Sequence, residues 1–150
     1  MIEVQAPAAL PKRANVFLAG GIMNADNWQP KALAMLQDTP VTVLNPRRAE
    51  PFHGNMQQEQ VEWEHHALRR SDAIIFWFPP ETLCPITLFE LGVWSQRNVP
   101  IYVGTHPDYQ RRLDVQIQLG LSRPEVFVHD NLADTVEDFI THQTIRFLKD

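Results

Sequence analysis

The sequence predicts an α/β fold of the flavodoxin-like (Rossmann-like) kind: a five-stranded parallel sheet with helices on both faces. Three observations carry that prediction. Short runs that are apolar on both faces alternate with helix-forming stretches from residue 15 to the end. Most of those runs are bounded by Gly or Pro, which stop a strand or turn the chain. The chain has 150 residues, a length that suits one domain with one sizeable core over 1–150.

Residues 1–14, with Pro7 and Pro11, read as an extended N-terminal arm. "NVFLAGG" is the first strand and closes on Gly20-Gly21. "NWQPKALAMLQD" follows with helical spacing at Trp28, Leu33 and Leu36. "VTVLNP" is the second strand, stopped by Pro46, and strong helix formers then run from Gln57 to Arg70. "DAIIFWF" is a continuous apolar third strand ending before Pro79-Pro80. The helix "PITLFELGVW" comes next, then a strand "VPIYVG", a helix over about 109–119, a strand "EVFV" and a closing helix over about 132–149. Five such strands suggest the order 2-1-3-4-5, with ligands beyond the carboxyl ends of strands 1 and 3. The segments there are "AGGIMNADNW" and "PPETLCP", and residues 19–27 and 79–85 are expected to line one pocket.

Composition narrows the function classes. Hydrophobic residues make up 44% and charged residues 21%, an ordinary globular balance. The net charge of −5 speaks against a nucleic-acid polymer as partner, because a polyanion wants a basic face. No apolar run reaches the roughly 18 residues that a bilayer requires. The first residues lack the apolar core of a signal peptide, so a cytoplasmic setting is expected. The one cysteine, Cys84, permits neither an intrachain disulfide nor a cysteine metal cluster, and no metal or cofactor is expected.

Two carboxylates stand where apolar side chains belong. Glu90 is the single charge in "PITLFELGVW", set between Phe89 and Leu91. On the helix from Gln57, Val61, Glu64 and Leu68 fall at helical spacing, which puts Glu64 in the stripe that should face the sheet. A charge withdrawn from water needs a partner or a purpose, or it changes protonation state. Glu64 could also bend outward to Arg69 or Arg70, and Glu90 could point to solvent. A paired nucleophile and acid/base is what glycosidic chemistry uses. The start of the helix is expected to help keep Glu90 ionised, and Gly92 to let that helix pack closely.

Lesser candidates surround them. Arg47 and Arg48 follow strand 2 on the ligand side and could hold a base carbonyl or a 5′-phosphate with forked donors. Trp28, Phe52 and Phe78 could stack on a nucleobase or fill the core. Asp72 opens strand 3 at the end away from the ligand and reads as a cap or turn residue. His65 and His66 are adjacent, hence about 100° apart on a helix and poorly placed to share a metal. Cys84 would need a nearby base to be a nucleophile.

"NVFLAGGI…NWQ", "NPRR", "VEWEHHALRRSDAIIFWFP" and "PITLFELG" together resemble the nucleoside 2-deoxyribosyltransferase-like family over about residues 15–94. The resemblance implies that Glu90 attacks the anomeric carbon of a (deoxy)nucleoside and forms a glycosyl-enzyme intermediate. It implies that Glu64 holds the sugar hydroxyls, and that the sugar passes to another nucleobase. Gly20 and Gly21 would let main chain approach the ribose, where a Cβ would obstruct it. The implied partners are a small-molecule nucleoside or nucleotide and a free nucleobase, with a homo-oligomer sharing its sites; "VFVHDN", residues 126–131, is the candidate for the lent segment. Two departures stand out. The tyrosine common at the end of the first strand is missing, the only tyrosines being Tyr102 and Tyr109. In the loop before the nucleophile, where many members carry an aspartate that protonates the leaving base, this chain has Glu81, Thr82 and Cys84. The competing readings are a nucleoside 5′-monophosphate N-glycoside hydrolase and a non-catalytic nucleotide-binding module.

Overall fold

The computed structural model describes residues 1–12, 14–51 and 53–147, with side chains through residue 142. In chain order the elements are β1 (Ile2–Gln5), β2 (Asn15–Gly20), α1 (Gln29–Leu36), β3 (Thr42–Asn45), α2 (Met56–Arg70) and β4 (Ala73–Phe78). There follow α3 (Pro85–Trp94), β5 (Ile101–Thr105), α4 (Arg112–Ser122), β6 (Val128–His129) and α5 (Leu132–Phe147). All pairings are parallel, in the order β1-β3-β2-β4-β5-β6.

The expected order of the five strands is therefore correct, but the sheet has six. The additional strand lies in the residues read as an arm, where Ile2–Gln5 pairs with Thr42–Asn45. It is an edge strand of four residues carrying Glu3 and Gln5, and an edge with one wet side need not show a continuous apolar run. The rest of the segment lies against α2: the Trp63 indole N–H donates to the Ala8 carbonyl at 2.8 Å. Two other boundaries shift. Val128–His129 alone pairs with β5, rather than "EVFV", and Phe127 is exposed. The helix expected from Tyr109 begins at Arg112, because His106–Arg112 turns on its own backbone bonds. Residues 148–149 of the expected closing helix lie outside the described residues.

Period-two alternation in the strands divides the core between the faces. Phe17, Ala19, Ile74, Phe76, Phe78 and Val103 pack with Trp63, Leu68, Leu91, Trp94 and Leu119, so α2, α3 and α4 share one face. Val16, Leu18, Ile75 and Trp77 pack with Ala32, Leu36, Val136 and Phe139, which places α1 and α5 on the other. Glu64 and Glu90 thus belong to helices on the same side of the sheet.

Candidate active site

The loops after β2 and β4, the neighbouring central strands, meet at their carboxyl ends. A Cβ on Gly21 would lie 2.9 Å from Cys84 Sγ, 3.0 Å from Thr82 Cγ2 and 3.2 Å from Pro79 Cγ. One on Gly20 would lie 2.4 Å from the Trp28 ring and 2.6 Å from the Trp77 carbonyl oxygen. The space at both glycines is filled by the protein itself, a reason for glycine that involves no ligand. Cys84 caps α3 in the left-handed region at φ 51°, and burial pushes its thiol up to about 11. It stays a protonated thiol at neutral pH and is unsuited to be a nucleophile. The loop is pinned from outside by Tyr109, whose hydroxyl donates to the Leu83 carbonyl at 2.7 Å while its ring packs against Phe78 at a 38° tilt.

The loop delivers α3 with Glu90 in its second turn. Thr87 and Trp94, three residues before and four after Glu90, are buried, so the carboxyl leaves the helix along a covered row. Glu90 Oε2 is itself buried and has no hydrogen-bond partner among the described residues. Burial, and then the negative charge of Glu64, push the Glu90 carboxyl up to about 8. The expectation that the helix start keeps Glu90 ionised is therefore overturned: desolvation outweighs a dipole field that falls off within the first turn. Gly92 is also not a close-packing position, since a Cβ there would meet nothing within 4 Å.

Glu64 comes from α2, in the interior of the helix. The observed buried row is out of phase with the expected stripe through Val61. Val61 is 55% exposed, and the buried row is Gln60, Trp63, Ala67 and Leu68. Glu64 lies between Gln60 and Leu68 at i+4 spacing, at the margin of that row. It turns neither to Arg69 nor to Arg70: Gln60 Nε2–H donates to Glu64 Oε1 at 2.8 Å. Burial holds the Glu64 carboxyl above its ordinary value, and the Gln60 hydrogen bond and the charge of Arg48 offset only part of that rise. The charge of Glu64 is the second cause of the rise at Glu90, after burial.

The arginines after β3 separate. Arg47 Nε–H donates to Gln29 Oε1 at 2.8 Å and Nη2–H to the Asp26 carbonyl at 3.2 Å, tying its loop to the start of α1. Arg48 has a side chain only 7% exposed, and its Nε–H donates to Gln60 Oε1 at 2.6 Å. Its buried Nη2 makes no hydrogen bond, although Glu59 Oε2 lies 3.4 Å away. Of the stacking candidates, Trp28 is 4% exposed with its indole N–H donated to the Gly21 carbonyl, and Phe78 is fully buried. Both are core side chains without a face open to a base, which corrects the stacking expectation. Phe52 lies outside the described residues. Asp72 is the turn residue expected: the Asn15 N–H donates to its Oδ2 at 2.8 Å, and its own N–H to the Asn15 carbonyl.

Sequence reasoning missed Gln60 and Tyr109. Nothing in composition marks a neutral amide as a bridge. Its one signal is a polar residue four before Glu64 on a helix. A groove of about 510 Å³ runs between α3 and α4, lined by Leu88, Leu91, Val115 and Leu119 among others. It lies on the opposite flank of α3 from the carboxyl pair, and neither glutamate lines it.

A parallel α/β sheet with two carboxyls, Glu64 and Glu90, carried by helices on one of its faces defines the class. Residues 13–109 match the family described as nucleoside 2-deoxyribosyltransferase like, and the chain belongs to that family. No curated protein matches the chain.

Proposed function

We propose that residues 1–150 form one domain that cleaves the N-glycosidic bond of a (deoxy)nucleoside and passes the sugar to another nucleobase. The observation that carries this reading is the two carboxyls on one face of the sheet: Glu90 with a buried, unpartnered oxygen, and Glu64 held in one orientation by Gln60. Glu90, once ionised, attacks the anomeric carbon. The C–N bond breaks with its electron pair leaving on the base, and a glycosyl ester forms on Glu90. Glu64, as an acceptor, orients the sugar hydroxyls. An incoming base then takes the sugar in a second displacement. The pair is asymmetric, as this division of labour requires.

Hydrolysis of a nucleoside 5′-monophosphate is the second reading, and Arg48 favours it. The buried Arg48 Nη2 makes no hydrogen bond and has only the exposed Glu59 carboxylate as an ion-pair partner at 3.4 Å, which leaves its donors for a phosphate or a base carbonyl. Chromatography of deoxycytidine and its 5′-monophosphate, each with and without adenine, separates the readings. Exchange that depends on adenine supports transfer, and base release without it supports hydrolysis. The absence of any free base would sink both. If Arg48 holds the phosphate, Arg48→Met weakens the nucleotide about 10-fold or more relative to the nucleoside, the scale of one charge-assisted contact. Equal losses would reassign Arg48 to the base or to structure.

The functional unit is a homo-oligomer in this proposal, supported by an exposed apolar face. Leu113, Ile117 and Leu121 form an i, i+4, i+8 stripe on α4, and Ile86 and Phe89 of α3 are exposed as well; Phe89 is 70% and Leu121 79% exposed. The lent-segment idea narrows: His129 bonds Asp138 and Asp130 pairs with Arg112 within their own chain, leaving exposed Phe127 to reach a neighbour. Sedimentation of a monomer alone at micromolar concentration would contradict an oligomer.

A further inference from the structure

The side-chain amide of Gln60 has only one orientation open to it. Arg48 Nε can only donate, so the Gln60 atom facing it at 2.6 Å must be the oxygen. The Pro46 carbonyl can only accept, so the atom facing it at 2.8 Å must be the nitrogen. The second N–H of that nitrogen then points at Glu64 Oε1, also at 2.8 Å. Gln60 is 7% exposed, and water has little access to compete for these bonds. Glu64 therefore meets a fixed donor, whereas Glu90 meets none among the described residues at its buried oxygen. A donor favours the charged form of a carboxyl, and the lack of one favours the acid.

We propose that Gln60 is a positioning residue that decides which carboxyl of the pair is charged: it holds Glu64 as the carboxylate and leaves the pair's proton on Glu90. This rests on the reading of Glu64 and Glu90 as the reacting pair. Among the described residues, the charged groups that act on them are Arg48 from the loop after β3, its ion-pair partner Glu59 on α2, and the two glutamates themselves. Arg47 is turned away to Gln29 and Asp26. In the free protein the nucleophile is thus stored as a neutral acid, with one oxygen buried. It becomes competent when its proton leaves to solvent. Glu64 remains an acceptor throughout, as a hydroxyl-holding group must. Without the Gln60 donor, Glu64 becomes a stronger base and takes a larger share of the proton. Glu90 then faces less negative charge and ionises at lower pH.

Carbon-13 NMR of the ligand-free protein labelled at glutamate Cδ, with Glu64→Gln and Glu90→Gln for assignment, tests this. In the wild type, Glu90 is expected to titrate well above Glu64. Gln60→Met, which fills the space without a donor, should lower the Glu90 midpoint by about one pH unit or more and raise that of Glu64. Gln60→Leu, a smaller apolar side chain that likewise lacks a donor, should do the same, which guards against a Met variant that fails to fold. The acid limb of kcat/KM should move down in parallel. Midpoints that stay put in both variants, or a wild type whose proton sits on Glu64, would overturn the role of Gln60. Because the titration is read on free protein, it decides the proposal even if no glycosyl transfer is found. A normal titration shift without turnover would fault the functional reading alone.

Discussion

Glu90→Gln is expected to fold normally, to bind nucleoside nearly as well as the wild type, and to lose turnover. The expected loss is on the order of 10⁴-fold or more, the scale seen when a covalent nucleophile is removed. Glutamine is a close mimic of the form that Glu90 takes at rest, a neutral group of the same size, so the fold has no reason to object. Wild-type kcat/KM should also rise with pH until Glu90 is ionised, since only roughly a tenth of a group titrating at about 8 is charged at neutral pH. Base exchange by the glutamine variant within 10-fold of wild type would make Glu90 a structural acid.

The pH dependence of stability should be as clear. Burial raises the Glu90 carboxyl from 4.5 to about 8 in the folded protein. A carboxyl raised on folding stabilises the native state fully below its unfolded value. That contribution is lost as pH climbs from there through the folded value, because the unfolded chain ionises first. The wild type should therefore lose roughly 4 kcal/mol between about pH 4.5 and 8.5 from this group. Glu90→Gln does not titrate and should show a much flatter curve, ending more stable than wild type at pH 8.5. Urea denaturation of both proteins across this range reads the effect. Parallel curves would mean that Glu90 is hydrated and that its burial is not what sets its chemistry.

Much of this was legible in the residues, and the failures have physical causes. The strands β2 to β5 announced themselves because central parallel strands are apolar on both faces, and Ala73–Phe78 carries no polar residue at all. The edge strands did not, since β1 is partly wet and β6 pairs over only two residues. Glu90 stood out because a lone charge in an apolar helix is rare. Glu64 was found through a stripe out of phase by one position, and its true neighbours, Gln60 and Leu68, put it on the same margin of the helix. Trp28 and Phe78 were offered as stacking surfaces because an aromatic side chain looks the same in a core and in a pocket. Only packing separates the two. Gln60 was invisible because its importance lies in Arg48, Pro46 and Glu64 converging on one amide, and two of those partners come from another segment.

The central claim is that Glu90 forms a bond to the sugar. Incubating the wild-type protein with a slow 2-fluoro-substituted deoxynucleoside, then digesting it and weighing the peptides, tests that bond directly. The peptide containing Pro85–Trp94 should gain one fluoroglycosyl mass, with fragmentation placing it on Glu90, and Glu90→Gln should gain none. An adduct on Glu64 or Cys84, or release of base with no adduct on any peptide, would contradict the account.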